Sequence, residues 1–478
     1  MTILVNAKVS KLTAMSAAAL VLAGCASVNF DEAVGKANQT TDSFTSGKLA
    51  LNRSVEQLDA KAKLATDLLS KPLSSDDAVQ LALANSPAVQ TMLAQSWADM
   101  SAADQAGRIA NPVFAFERFT FKDELELGRL LSFGLLDLLT LPRRQAIAQS
   151  RMAQSQVQLS ANVVELVTQV RQAWVRAVAA SQVLQYAEQI NTAAEASAEL
   201  AKRMQQVGNF NKLQRARQQV FYADSTARLA AAQHGALSAR EELVRQLGLT
   251  DTQAAQLKLP DRLPDLPKEA RAASVISSTA TDQRLDVQLT RGQLDAAGKA
   301  QGLNLLTSLI DVEVGIRRDT VFDNAGGVGS AAARRGYELG IRLPIFDWGN
   351  AKRDAMNAQS LAAANRYEST VRSATSQLRE SYWAYRTAYD VARHYRDEVV
   401  PLRKTMAEEN VLRYNGMLIG VFELLADTRD QIGSVVTAIN AYQQFWLADA
   451  ALNASMTGKP TSVMMAAPMA AGGGDKPH

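Results

Sequence analysis

The 478-residue sequence contains one cysteine, three histidines and twelve prolines, and aromatic residues make up only 6% of it. A single cysteine excludes an internal disulfide framework and a zinc site built from cysteines. The histidines, His234, His394 and His478, have no partner at metal-ligand spacing, and no set of titratable residues suggests a catalytic centre. A net charge of +3 provides no basic surface for nucleic acid. These absences predict a protein that is not an enzyme and has no metal ion, cofactor or nucleic acid partner.

The N-terminus predicts export. Lys8 and Lys11 precede an apolar stretch, Ala14 to Ala23, which is too short for the roughly 20 residues of a membrane-spanning helix and is typical of a secretory signal. The stretch ends in Leu22-Ala23-Gly24-Cys25, which resembles a bacterial lipoprotein signal. We therefore expect cleavage before Cys25 and lipidation of its thiol, palmitate included. The alternative is an ordinary signal peptide in which the cysteine is incidental.

The positions of the prolines predict very long helices. No proline occurs between Pro142 and Pro260, and Pro401 is the only one between Pro344 and Pro460. Because proline disrupts helix interiors, these stretches rich in Ala, Gln, Arg and Leu predict two helical hairpins, at about 143–247 and about 350–455.

The two hairpins belong to an internal repeat with an offset of 209 residues. The matching pairs are Arg144 and Arg353, Trp174 and Trp383, Tyr186 and Tyr395, and Glu188 and Asp397. The glycines at the hairpin turns, Gly208 and Gly416, agree to within one residue. The predicted organisation is a signal peptide (1–24), a lipidated segment (25–74), a first repeat (75–265), a second repeat (266–455) with a short helix at about 282–305, and a disordered tail (456–478).

Strand-like alternation occurs only beside the long helices. Residues 310–317 and 337–343 alternate apolar with charged or small side chains, which predicts strands with one apolar face, and weaker counterparts occur at 111–121 and 127–136. The strand pairs are expected at about 111–136 and about 308–344, with a long Gly- and Ala-rich loop at 319–335. The predicted lipid-facing side chains are Ile310, Val312, Val314, Ile316, Tyr337, Leu339 and Ile341.

Strands of about ten residues fit the span of a membrane β-barrel. Four strands cannot close a barrel, which needs about eight, and an open edge cannot lie in lipid. If these strands cross a membrane, several chains must therefore share one barrel. The alternative is a half-buried sheet in a soluble protein.

Several motifs, taken in order, resemble the TolC-like outer membrane efflux proteins. They are the lipoprotein cysteine, the segment Asp76–Pro87, Asn111-Pro112, Leu343-Pro344-Ile345-Phe346-Asp347-Trp348-Gly349 and Tyr414-Asn415-Gly416. The resemblance implies a mainly helical chain with membrane β-strands. Duplicated helical hairpins would form an α-barrel, and four strands per protomer would contribute to a shared, trimeric 12-stranded β-barrel.

The resemblance also implies a function. A homotrimer would be the passive exit duct of a tripartite efflux system, lipid-anchored in the outer membrane and extending into the periplasm. Its partners would be outer membrane lipid, a periplasmic adaptor (membrane fusion) protein and an inner-membrane pump of the RND type. The alternatives are an exit channel for type I protein secretion and a periplasmic coiled-coil scaffold or adaptor lipoprotein.

The hairpin turns carry the candidate docking residues, Gly208, Phe210, Gly416, Met417, Leu418 and Ile419. Apolar residues at an exposed tip are costly unless a partner covers them, which favours docking to the adaptor. The alternative is packing against a neighbouring hairpin.

Glu423 and Asp427 follow the second tip at i and i+4, on one helix face. The resemblance implies acidic residues that line the aperture here, and Glu423 falls on the first of them, whereas Ala426 occupies the position of the second. The alternative is a solvated surface carboxylate. Tyr382, Tyr385 and Tyr389 also share a helix face, and we predict that they pack in a core.

Overall fold

A computed structural model describes residues 29–122, 124–275, 282–307, 311–323, 330–342, 345–346 and 348–459. The elements before and within the first repeat are α1 (Phe30–Thr41), α2 (Val55–Leu69), α3 (Ser75–Asn85), α4 (Pro87–Ala106), β1 (Val113–Phe121), β2 (Glu124–Gly134), α5 (Leu135–Gln206), α6 (Lys212–Leu247) and α7 (Asp251–Gln256). A 3-10 turn (Ala273–Val275) then leads to α8 (Leu285–Thr307), β3 (Asp311–Asp323), β4 (Ser330–Arg342), α9 (Asn350–His394), a π turn (Tyr395–Val399), α10 (Val400–Asn415) and α11 (Val421–Thr457). The predicted signal peptide, Cys25, Ile310 and the tail from residue 460 lie outside the described residues.

The chain forms two compact units. The first comprises the described residues within 29–33, 95–158 and 288–370 and contains all four described strands with the helical segments that adjoin them. The second comprises the described residues within 34–94, 159–287 and 371–459 and contains both hairpin turns. None of the helices in the described part of the chain is long and apolar enough to cross a membrane.

Helix α5 begins earlier than the proline pattern predicts. It runs for 72 residues from Leu135 and contains Pro142 in its interior, whereas the prediction started the helix at 143. The β2 strand ends at Gly134 and leads directly into this helix, and Arg144 holds the junction by donating to Asp137 (2.8 Å) and to the carbonyl of Arg108 (2.8 Å). These contacts stabilise helix on both sides of a residue that lacks one N–H group.

The second hairpin is interrupted just before Pro401. Residues Tyr395–Val399 form one π turn between α9 and α10, and Pro401 lies in the first turn of α10. Proline cannot donate to the carbonyl four residues earlier, and a locally widened turn accommodates the missing bond.

A tyrosine-rich core lies between α9 and α11. Tyr382, Tyr385 and Tyr389 are each at most 4% exposed, and they pack with Phe445 and Leu452. The Tyr389 hydroxyl donates to the carbonyl of Lys268 (2.9 Å), so its polar end is satisfied. The prediction that this stripe is a packing feature is confirmed.

The four strands form one antiparallel sheet in the order β1-β2-β3-β4. The central β2–β3 pairing joins the two repeats, from Glu124 opposite Asp323 to Gly134 opposite Glu313. Strands β1 and β4 each have one neighbour in this sheet, so each presents an edge.

Most of the predicted 319–335 loop is strand. Pairing of β3 with β4 continues to Asp323 opposite Ser330, so residues 319–323 and 330–335 belong to the sheet. The run Ala331-Ala332-Ala333 has no alternation of polar and apolar residues, so the sequence gives no strand signal there. Cross-strand hydrogen bonding extends the strand through these residues.

Residues 25–74 were predicted only as a lipidated segment. The described part of this segment, from residue 29, contains the helices α1 and α2. Helix α1 begins at Phe30, whose ring stacks on Trp97 at 6.0 Å, and α2 begins at a capping box formed by Ser54 and Gln57. Asn38 and Leu49 exchange hydrogen bonds of 2.8 and 3.1 Å, which closes the chain between these helices.

Candidate functional site: a two-faced sheet and two hairpin tips

The register divides the sheet into two chemically different faces. Directly opposite residues in antiparallel strands point to the same side, and this side alternates along each strand. We call the first side the apolar face. Its residues are Phe114, Phe116, Arg118, Thr120, Leu125, Leu127, Arg129, Leu131, Phe133, Val312, Val314, Ile316, Arg318, Thr320, Phe322, Ala331, Ala333, Arg335, Tyr337, Leu339 and Ile341.

Large side chains of the apolar face are open to the surroundings in the single chain. Tyr337 is 90% exposed, Leu339 63% and Phe114 63%. Below them, towards α9, Ile345 and Phe346 are exposed as well. A contiguous apolar surface of this kind requires either lipid or a protein partner.

The opposite side, the acidic face, carries carboxylates on all four strands. Among the residues whose side chains the structure describes, they are Glu117, Glu124, Glu126, Glu313, Asp319, Asp323 and Glu338, and the basic residues on this face are Arg317 and Arg334. Arg317 is the centre of an ion-pair network, at 2.8 Å from Glu117, 3.1 Å from Asp319 and 3.9 Å from Glu338. Such polarity is suited to a water-filled lumen.

The two hairpin tips have the same backbone conformation, at the repeat offset of 209. In the first tip the N–H of Asn209 donates to the carbonyl of Met204 (2.9 Å), and in the second the N–H of Leu418 donates to that of Arg413 (2.8 Å). Gly208 has φ +81° and its counterpart, Met417, has φ +58°. The residue equivalent to Gly208 is therefore Met417, and Gly416, with φ −80°, is its neighbour.

The candidate tip residues separate into outward and inward groups. Met417 is 94% exposed and Leu418 73% exposed, whereas Ile419 is only 8% exposed. Phe210, the counterpart of Ile419, packs on Phe422 with 4.5 Å between ring centroids. The structure thus joins the two hairpins through Phe210 and leaves Met417 and Leu418 available for a partner.

Glu423 and Asp427 have different surroundings despite sharing a helix face. Glu423 is exposed, whereas Asp427 is half-buried and accepts a hydrogen bond from the side-chain amide of Asn410 on α10. Nearby, the guanidinium of Arg429 lies 4.7 Å from the ring centroid of Phe221 on α6. Asp427 therefore has a role within the hairpin, and the carboxylate of Glu423 is the freer of the two.

A half-buried acidic residue, Asp449, lies further along α11. Burial raises the pKa of Asp449, although Arg271 at 3.0 Å and Arg171 oppose this shift. Arg271 also donates to Asn453 (2.6 Å), whose amide donates to Asp449 (3.1 Å). The group is fully bonded within the core, which indicates a structural role. Within the described residues no three His, Cys, Asp or Glu side chains form a group that could hold a metal ion.

These features define a class of protein. A four-stranded antiparallel sheet with two edges, one apolar face and one polar face, joined to duplicated helical hairpins, is a combination typical of a membrane channel protomer. A family model described as outer membrane efflux protein matches residues 278–407, from the region before α8 to the middle of α10.

Solved structures of outer membrane channels have the same fold. The CmeC outer membrane channel of Campylobacter jejuni matches with a TM-score of 0.67 at 14% identity, over 87% of this chain and 91% of that chain. VceC of Vibrio cholerae matches with a TM-score of 0.64 at 16% identity, over 83% and 96%. The open state of the Neisseria gonorrhoeae MtrE channel matches with a TM-score of 0.61 at 18% identity, over 84% and 91%. No characterised protein matches the chain at the level of sequence.

The predicted resemblance to the TolC-like outer membrane efflux proteins is therefore confirmed, by the family model over 278–407 and by the fold over most of the chain. The predicted fold class, mainly helical with four membrane-type strands in each chain, is confirmed as well.

Sequence reasoning missed two features of the site. The first is the correspondence of Gly208 with Met417. The repeat offset of 209 gives this pair directly, but Gly208 was paired with Gly416 because both are glycines. The second is the part of the apolar face that carries Thr320, Phe322, Ala331, Ala333 and Arg335, because residues 319–335 were assigned to a loop. Continuing the two-residue alternation from 310–317 through Arg318 and Thr320 is the signal that would have found it.

Proposed function

We propose that this chain is the protomer of a homotrimeric exit duct in the outer membrane, through which a tripartite efflux system passes small molecules from the periplasmic side to the outside. The single observation that carries the proposal is the four-stranded sheet with one apolar and one acidic face and two edges. Copies of the chain would pair at β1 and β4, so that no strand edge meets lipid.

In the proposed assembly the apolar face lies against the hydrocarbon and the acidic face lines the lumen. Cys25 would be lipidated, with palmitate among its acyl groups, and would anchor each protomer in the outer membrane. The helical hairpins would extend into the periplasm as an α-barrel. The exposed side chains of Met417 and Leu418, beside Gly208 and Gly416, would dock a periplasmic adaptor connected to an inner-membrane pump of the RND type.

Glu423 would line the aperture of this duct near the second tip. Its exposed carboxylate has no ion-pair partner within the described residues. Three copies converging around an axis would form a ring of negative charge, which attracts cations and retards their passage through a closed pore. Asp427, bonded to Asn410, would hold the helix that presents this ring.

A type I secretion exit channel would have the same architecture and differs only in cargo. A periplasmic scaffold or adaptor has no use for a sheet whose large apolar side chains are open on one side. The small-molecule duct is therefore the function that the family match favours.

Reconstitution tests the proposal. The full-length protein, purified in detergent, is expected to migrate as a heat-sensitive trimer and to form channels in planar bilayers. These channels should prefer K⁺ over Cl⁻, because carboxylates outnumber basic groups on the acidic face. The measurements are native mass and reversal potential in a KCl gradient. A monomer that leaves the bilayer non-conducting would overturn the proposal.

A further inference from the structure

Four arginines lie on the apolar face of the sheet, one on each strand. The Cα of Arg318 is paired with Arg129 on one side and with Arg335 on the other, so these three form a continuous row across β2, β3 and β4. On β1 the direct partner of Arg129 is Phe116. Arg118 is two residues further along β1 and is therefore diagonal to Arg129. We call these four residues the arginine row.

The arginine row has no counter-charge in the chain. The apolar face carries no carboxylate at any of its described positions. Among the residues that the structure describes, none of the four arginines forms an ion pair, whereas Arg317 on the acidic face has three carboxylates within 4.0 Å. Like charges directly opposite each other destabilise a strand pair. An anion from outside the chain would remove this repulsion.

The row also divides the apolar face into two parts. On the side towards α9 lie Tyr337, Leu339 and Ile341, and Ile345 and Phe346, further along the chain, are exposed. On the side towards the hairpin ends lie Leu125, Leu127, Thr320, Phe322, Ala331 and Ala333, of which Thr320 and Ala333 are next to Arg318 and Arg335 along their strands. Arginine at the middle of a bilayer costs about 2–4 kcal/mol and near the interface about 0–1 kcal/mol. A row of arginines is therefore tolerable only at the lipid headgroup level.

We propose that the arginine row binds the phosphate groups of a phosphorylated lipid in the outer leaflet. This rests on the proposed function, which places the helices in the periplasm and the hairpin ends of the sheet outside. Guanidinium groups bind phosphate oxygens in pairs of parallel hydrogen bonds, and adjacent groups can share one phosphate. The acyl chains of the same lipid would cover Tyr337, Leu339 and Phe114, which supplies the apolar contact that a free anion lacks.

Diphosphoryl lipid A is the probe that tests this site. Full-length wild-type protein and the triple variant R129Q/R318Q/R335Q are titrated with it in neutral detergent, and bound lipid is counted by native mass spectrometry. Each arginine near an anionic surface contributes about a factor of five to binding, so the triple variant should bind roughly 100-fold more weakly. The single variant Arg318→Gln, which removes the centre of the row, should bind about fivefold more weakly.

Arg334→Gln is the matched control, because Arg334 is adjacent to Arg335 in β4 but lies on the acidic face. It should bind diphosphoryl lipid A as the wild type does. Inorganic phosphate at equal concentration should not displace the lipid. Displacement by inorganic phosphate would show a site for the free anion and would overturn the lipid assignment, as would undiminished lipid binding by the triple variant.

Conductance separates this inference from the proposed function. Arg318→Gln and the triple variant are measured in planar bilayers of phosphatidylcholine, which lacks anionic lipid, and both should conduct as the wild type does, because their substitutions lie on the apolar face and not in the lumen. A wild-type protein that binds lipid A through the row but forms no channel would contradict the proposed function alone. Channels with unchanged lipid A binding in the triple variant would contradict the arginine row alone.

Discussion

Met417, at the second hairpin tip, has a left-handed backbone conformation, and its counterpart in the first repeat, Gly208, has the same conformation. Met417 has φ +58°, and a residue with a Cβ atom pays about 1–2 kcal/mol for the left-handed region. Its side chain is 94% exposed and gains almost no packing in return. Strain without a compensating contact in the single chain is typical of a site that meets a partner, which supports the proposed docking role.

Replacing Met417 with glycine should therefore stabilise the tip. We expect Met417→Gly to slow amide hydrogen exchange at residues 416–420 by about fivefold, equivalent to about 1 kcal/mol of relieved strain. Met417→Ala is the control, because it removes the same apolar side chain and keeps the Cβ atom. Equal protection in the two variants would contradict the strain argument. Adaptor binding by the wild type, compared with that of the two variants, measures the contribution of the methionine side chain to docking.

The negative charge of Glu423 is a second single-residue feature, and it should affect conduction directly. Glu423→Ala should raise the leak conductance of the closed channel and weaken its block by divalent cations, because the proposed ring would lose its three carboxylates. Single-channel recordings with and without Mg²⁺ measure both effects. Glu199→Ala, near the first tip, is the matched control, since Arg203 at 3.0 Å already neutralises that carboxylate. Unchanged divalent block in Glu423→Ala would remove this residue from the aperture.

At the scale of the element, strand β3 illustrates how one residue step changes the environment of a side chain. Val314 lies on the apolar face between Phe133 and Leu339, whereas Val321 lies on the acidic face between Glu126 and Ala332. The two residues are chemically identical, but an odd number of steps along the strand separates them, so they lie on opposite faces. A charged substitution should therefore have a different effect at each position in a membrane.

Val314→Asp should block assembly in the outer membrane, and Val321→Asp should not. A carboxylate on the apolar face would face hydrocarbon, at a cost per protomer below the about 2–4 kcal/mol of a basic side chain at the bilayer midplane, whereas on the acidic face it remains hydrated. The measurement is the yield of heat-sensitive trimer in isolated outer membranes. If Val314→Asp assembles and conducts like the wild type, the apolar face does not contact lipid.

At the scale of the whole molecule, duplication explains most of the architecture. Each repeat supplies one strand pair and one helical hairpin, and the β2–β3 pairing joins the two strand pairs into a single sheet. The edges at β1 and β4 remain, so the sheet of one chain is incomplete by itself. In the proposed assembly, copies of the chain complete the sheet at these edges.

Much of this organisation follows from local sequence properties. Proline spacing predicts helical hairpins because a missing N–H disrupts a helix wherever it occurs, and the strands at 310–317 and 337–343 are visible because apolar and charged residues alternate there. The boundaries were less accurate. Helix α5 continues through Pro142 because contacts of Arg144 support it, and strand β4 extends through three alanines because β3 pairs with them.

The sequence by itself indicated the class of protein, through the duplication and the order of its motifs. Only the tertiary structure decided which side chains share a face. Cross-strand register brought Arg129 into one row with Arg318 and Arg335, although Arg129 belongs to the other repeat. The physical reason is that hydrogen-bonded register depends on a partner strand that is distant along the chain, whereas helix disruption and polarity alternation depend on adjacent residues.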